Sequence, residues 1–165
     1  MIYKGNPVSA GIAIGRVFLY RPFSPAGEKV KIDGQQANHE LERLSKAKKD
    51  AAGELEMVRG LLADDPQKAK IFTAHLDILF DVAVEEEMQD AIQKELWSAE
   101  TAVFGVFSKY IRILGKSKDA LIRERASDMT DVRNRLLRNL AGLPSSDLSA
   151  LTEPVIVVAE DLFPS

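Results

Sequence analysis

The 165-residue chain contains no cysteine. This absence excludes a disulfide framework, a thiolate nucleophile and a cysteine zinc site, and it favours an intracellular, cytoplasmic compartment. Histidine is nearly as scarce: His39 and His75 alone are too few for a metal cluster. No apolar run exceeds about five residues, the longest lying around Ile12 and Ile156. A membrane-spanning helix needs roughly 20, and the first residues lack the basic start and apolar stretch of a secretion signal. No excess of positive charge exists either, because the net charge is −3. General attraction to nucleic acid is therefore not expected.

What the chain does have is ordinary globular material, 45% hydrophobic and 28% charged, at a length that suits one domain or one domain and a part. The charge is unevenly spread. Residues 64–95 hold nine acids against three basic residues, whereas 116–138 hold seven basic residues against four acids. An acidic middle segment fits a basic protein partner, although such a run also makes a plain solvated helix face.

The first 25 residues carry Gly5, Pro7, Gly11, Gly15, Pro22 and Pro25 around the β-favouring Arg16-Val17-Phe18-Leu19-Tyr20. They read as strand and turn. From Asp33 a helical pattern begins, with Gln36 in the capping-box position and apolar residues at Leu41, Leu44, Ala51, Leu55, Val58 and Leu62. The spacing predicts a helix of some 28 residues. Asp64-Asp65-Pro66 then restarts the chain for a second helix to about Phe80, with Ala69, Phe72, Leu76 and Leu79 inward. A third, from about Ala83 to Leu96, buries Met88 and Ile92.

Ser98 opens a fourth helix with Val103, Phe104, Phe107, Tyr110, Ile111 and Leu114 inward and Gly115 as its stop. The fifth, near Asp119 to Leu140, places Ile122, Met129, Val132, Leu136 and Leu140 at helical spacing before Gly142 and Pro144. The run Pro154-Val155-Ile156-Val157-Val158-Ala159 returns to strand, and a strand so apolar normally has both faces covered. The expected fold is mainly α: an antiparallel helical bundle inserted into an incomplete α/β unit built from both chain ends. The divisions fall at 1–25, 26–144 and 145–165.

Sites are few. Gly11 and Gly15 lack the lysine-serine pair of a phosphate loop, and a strand bend or bulge accounts for them. His39-Glu40 begins like a zinc-protease helix but Arg43 stands where the second histidine is needed. Carboxylates abound on polar helix faces without a burial signal that would raise a pKa, so acid–base catalysis has no specific support. No catalytic residue, resident metal or cofactor is expected. His75, which interrupts an apolar face beside Asp77, Ile78 and Asp81, is a candidate binding residue.

Three blocks, taken with the closing strand, resemble a known family: Gly5-Asn6-Pro7-Val8-Ser9-Ala10-Gly11-Ile12-Ala13-Ile14-Gly15, the segment from Ile71 through His75 to Leu79, and the long stretch from Arg123 to Asn139. The family is Enzyme I, the phosphoenolpyruvate-protein phosphotransferases of the bacterial sugar phosphotransferase system. The resemblance implies a helical domain that binds the small phosphocarrier HPr, inserted into a swivelling phosphohistidine domain. It implies as well a later barrel that takes Mg2+ and phosphoenolpyruvate, and dimerisation through the later domains. The family's phosphoryl-accepting histidine follows in a glycine-rich Ser-His segment that this sequence does not reach. The expectation is thus an N-terminal fragment that recognises HPr without being phosphorylated itself.

His75, Asp81 and Arg125 match positions at which the family meets HPr. Asp77, Asp81 and Glu85 recur at four-residue steps and would share one helix side, unless Phe80-Asp81 is a bend. Ile78 and Val84 are expected to supply apolar contact at the centre of the face. Phe80 stands where the family commonly has an acid, and Pro66-Gln67-Lys68-Ala69-Lys70 is less acidic than usual there. Two alternatives remain open: an Enzyme I-like module of a dihydroxyacetone-kinase donor or of the nitrogen-related branch, which Met1 so near the first motif disfavours, and a non-enzymatic helical adaptor, which leaves the end strands unexplained.

Overall fold

The computed structural model describes residues 8–20, 29–143 and 151–159. They divide into two compact units, one made of 8–20 and 151–159, the other of 29–143. The expected boundaries near 25 and 145 fall outside the described residues, as do Gly5, Asn6 and Pro7 of the first block, Pro144 and 160–165.

In the small unit β1 (Arg16–Leu19) pairs in parallel with β2 (Val155–Val158), Arg16 opposite Val155 and Leu19 opposite Val158. The Tyr20 amide extends the ladder to the Val158 carbonyl at 2.8 Å. Parallel pairing needs a long connection, which the intervening 135 or so residues supply. Consistent with an incomplete unit, β1 is exposed along its length and β2 is half-buried except for the exposed Val158, because two strands alone cannot shield either face.

The large unit holds five helices: α1 (Ala37–Leu61), α2 (Pro66–Leu79), α3 (Val82–Gln93), α4 (Ala99–Gly115) and α5 (Ala120–Leu140). Each start is chemically marked. Asp33 and Gln36 form the reciprocal capping box, although it closes a 3-10 turn, Gly34–Gln36, that leads into a 25-residue α1. Asp65, Asp81, Ser98 and Asp119 accept backbone N–H bonds at the starts of α2 to α5. The helices converge on Ala51, Leu55, Phe72, Leu79, Met88, Ile92, Val103, Phe107, Val132 and Leu136.

One expectation about inward residues changes. Ile122 is exposed, since the core on α5 begins only at Ala126 and its first turn projects beyond it. The third helix is also shorter than expected, ending at Gln93 with Leu96 in the left-handed region at φ 56°. That turn is held by a strap: Ile32 N–H bonds to the Leu96 carbonyl (2.9 Å) and Ser98 N–H to the Val30 carbonyl (3.0 Å).

Buried charge ties the bundle together. Glu40 on α1 accepts the Ala99 N–H at the start of α4 (2.8 Å) and the Arg43 guanidinium (2.8 Å), which also pairs with Glu100. Burial would raise the Glu40 carboxyl, but the Ala99 N–H, the Arg43 bond and charge and the His39 charge together hold it below its usual value. At the other end of α1, Glu54 accepts Arg135 and Arg138 from α5, together with the Asn139 amide.

Candidate functional site

Asp65 caps α2 by accepting the Lys68 N–H at 3.2 Å, and Pro66 supplies the first helical residue. The inward stripe that follows is Phe72, His75, Leu76, Ile78 and Leu79. His75 is 0% exposed. Its Nδ1 lies 3.3 Å from Asp131 Oδ2 and its Nε2 3.5 Å from Asp128 Oδ1, with the Phe72 ring edge-on at 6.0 Å between centroids. Asp128 and Asp131 are one turn apart on α5, so each ring nitrogen faces one carboxylate. His75 is therefore a junction between α2 and α5 and not the surface contact that was expected.

Ile78 and Val84 also lie inside, 6% and 5% exposed, within the common core. A side chain already packed there offers no apolar surface to a partner. The bend alternative holds at Phe80-Asp81. The Phe80 N–H still reaches the Leu76 carbonyl (3.0 Å), after which Asp81 turns to extended backbone and accepts the Val84 N–H at 3.0 Å as the cap of α3. Asp77 and Asp81 are consequently on separate helices, both exposed. Glu85 is drawn inward to the buried Lys48 ammonium at 2.7 Å.

The bend brings different residues to the surface. Phe80 is 51% and Val82 68% exposed. Glu87 on α3 pairs with Lys109 on α4, and Ala91 and Glu95 line one cleft with Thr101 and Ala102. On α4, Ile113 is 55% exposed. Glu87 accepts Lys109 Nζ (2.6 Å) and the Tyr110 hydroxyl (2.7 Å). These bonds, Lys109 first, hold the Glu87 carboxyl below its usual value. The bond to Glu87, then burial, with the Asp81 charge adding, raises the Tyr110 phenol. Arg125 is exposed one turn before Asp128 and makes no ion pair among the described residues.

A cleft of about 530 Å3 lies between α3 and α4 near Trp97. Its carboxylates are already engaged: Glu87 by Lys109, Asp90 by Lys94 and Glu95 by the Trp97 indole N–H. Among the described residues no group of three or more histidine, aspartate or glutamate side chains is arranged to hold a metal ion. No helix among them is long and apolar enough to cross a membrane.

A five-helix unit with a surface elbow between α2 and α3, joined in sequence to a parallel strand pair from both ends, defines the class. Residues 4–125 match the family described as PEP-utilising enzyme, N-terminal, and the chain belongs to that family. Within it, the relatives are phosphoenolpyruvate-protein phosphotransferases. That of Mycoplasma capricolum is 31% identical and that of Priestia megaterium 35%, each over 98% of this chain and 28% of its own length. The chain thus spans little more than a quarter of these relatives, as an N-terminal part of such an enzyme would. Among solved structures, Enzyme I (nEIt) superposes with a TM-score of 0.79 at 35% identity, covering 94% of this chain and 64% of that one. The N-terminal domain of Enzyme 1 - Nitrogen follows at 0.70 and 26%, covering 93% and 63%.

Proposed function

We propose that this chain is the phosphocarrier-docking part of a cytoplasmic phosphoenolpyruvate-protein phosphotransferase of the sugar-uptake system. In the complete enzyme a phosphoryl group passes from phosphoenolpyruvate to a histidine and then to HPr. Mg2+, phosphoenolpyruvate and dimer contacts belong to later domains. The present residues recognise the acceptor and carry no step of the chemistry.

The observation that carries this reading is the α2–α3 elbow. It exposes Phe80 and Val82 while Asp77, Asp81 and Glu86 remain on the surface around them. An apolar spot with an acidic rim is matched to a small protein that presents its reactive histidine among basic residues. The exposed Arg125 on α5 is retained in this reading as a further polar contact, whereas the buried Ile78 and Val84 are not.

The test is calorimetric titration of HPr from the same organism into the chain. Saturable one-to-one binding supports the proposal, and no heat and no complex at millimolar concentrations refutes it.

A further inference from the structure

Two lysines gather over one indole where the α3–α4 cleft meets Trp97. Lys31 Nζ lies 3.6 Å and Lys29 Nζ 5.9 Å from the centroid of the Trp97 ring, and Lys29 and Trp97 both line the cleft. Neither ammonium is within ion-pair distance of a carboxylate among the described residues. Lys31 donates instead to the backbone carbonyl of Glu95. The acids of the cleft are already bonded, Glu87 to Lys109 and Tyr110, Asp90 to Lys94, and Glu95 to the indole N–H. The charge left over beside Trp97 is therefore positive, and two neighbouring cations gain from an anion placed between them.

The rest of the cleft is shaped for an apolar body. Ala91, Ala102 and Val106 are small and buried. Gly105, in the middle of α4, leaves the floor open, since a Cβ there would meet nothing within 4 Å. Glycine is a poor interior helix residue, and no close neighbour demands it here; what it supplies is depth. The volume of about 530 Å3 suits a small molecule.

We propose that this cleft binds a small organic anion, a carboxylate carried on a ring-sized apolar body. The carboxylate pairs with Lys29 and Lys31, and the body lies along Trp97 toward Gly105. An amine of the same shape meets two uncompensated cations and acids that are already engaged, so the sign of the charge discriminates. The proposal does not rest on the docking function given above.

Trp97 is the one tryptophan of the chain, so its fluorescence, excited at a wavelength where a phenyl ring does not absorb, reports on the cleft. The probes are 3-phenylpropionate and 3-phenylpropylamine, the same body with opposite charge. The carboxylate should give a saturable change with a low-millimolar dissociation constant, and the amine should bind at least about tenfold more weakly. Amide shift changes of the 15N-labelled chain should centre on Ala91, Trp97, Thr101 and Gly105. Lys29→Gln/Lys31→Gln should weaken binding at least about fivefold, and Lys29→Gln alone, at an exposed side chain, should weaken it in the same direction without disturbing the backbone near Leu96. Gly105→Leu should abolish saturation while keeping helicity by circular dichroism, because the new side chain enters open space. No saturable change up to about 20 mM 3-phenylpropionate overturns the proposal. So do equal binding of the amine, shift changes centred elsewhere, or unchanged affinity in the lysine and Gly105 variants.

Discussion

Replacing His75 by alanine separates a structural junction from a docking contact. The imidazole is fully enclosed, with Phe72 on one side and the Asp128 and Asp131 carboxylates at its two nitrogens. Truncating a large buried ring costs about 3–5 kcal/mol for phenylalanine, and an imidazole, smaller and less apolar, about 2–3 kcal/mol on the same basis. Asp131 is buried too, with the His75 Nδ1 3.3 Å away but not aligned as a hydrogen bond, so no hydrogen-bond loss is added. The expected loss is about 2–3 kcal/mol, a large share of the roughly 5–15 kcal/mol that holds a domain together. Urea unfolding followed by circular dichroism measures it, alongside HPr affinity at a temperature where the variant is fully folded. His75→Gln, which can donate to one carboxylate, should recover part of the stability. Affinity of the folded variant should fall by less than about threefold, or roughly 0.6 kcal/mol. A loss of stability below 1 kcal/mol with a tenfold loss of affinity would refute the junction and return His75 to the surface of the complex.

Three further outcomes follow from the buried carboxylate and from the histidines. Glu40→Ala leaves the Ala99 N–H without its acceptor and should cost about 2–3 kcal/mol in urea unfolding. Because the folded Glu40 carboxyl lies below its ordinary value of 4.5, its contribution is present above that pH and is lost as pH falls through the lower folded value. Glu40→Gln should therefore flatten the pH dependence of stability below about 4.5, and an unchanged acid limb would contradict the assignment. Incubated with phosphoenolpyruvate and Mg2+, the 165-residue chain should show no added phosphoryl mass, since His75 is enclosed and His39 is an isolated exposed residue on α1. Stoichiometric phosphorylation by intact-mass measurement would overturn that division of labour.

Helix starts were legible because local chemistry writes them: Asp33 with Gln36, Asp65 with Pro66, and Ser98 each act within three residues of their own position. The apolar stripes were legible for the same reason, since Leu44, Ala51 and Leu55, or Val132, Leu136 and Leu140, repeat on one helical face. Val84 precedes Met88, Ala91 and Ile92 by four, seven and eight residues, a core spacing that accounts for its burial in place of a docking contact. The partners of His75 could not be read locally, because Asp128 and Asp131 come from α5, more than 50 residues away. Ile122 fails for a related reason: its spacing fits the stripe, but exposure depends on where neighbouring helices end. The pairing of Arg135 and Arg138 with Glu54 is likewise a tertiary event with no periodic signature. Exposure of Phe80 and Val82 depends on Asp81 choosing to cap a new helix instead of continuing α2, a choice that sequence left open.

Amide-resolved NMR of the 15N-labelled chain, titrated with unlabelled HPr from the same organism, tests the docking claim most directly. Saturable shift changes should centre on Asp77, Phe80, Asp81 and Val82 and extend to Ile113 and Arg125, leaving the Met57 and Leu61 end of α1 unmoved. Changes confined to that end of α1 or to the β1–β2 unit, or no changes at saturating carrier, would contradict it.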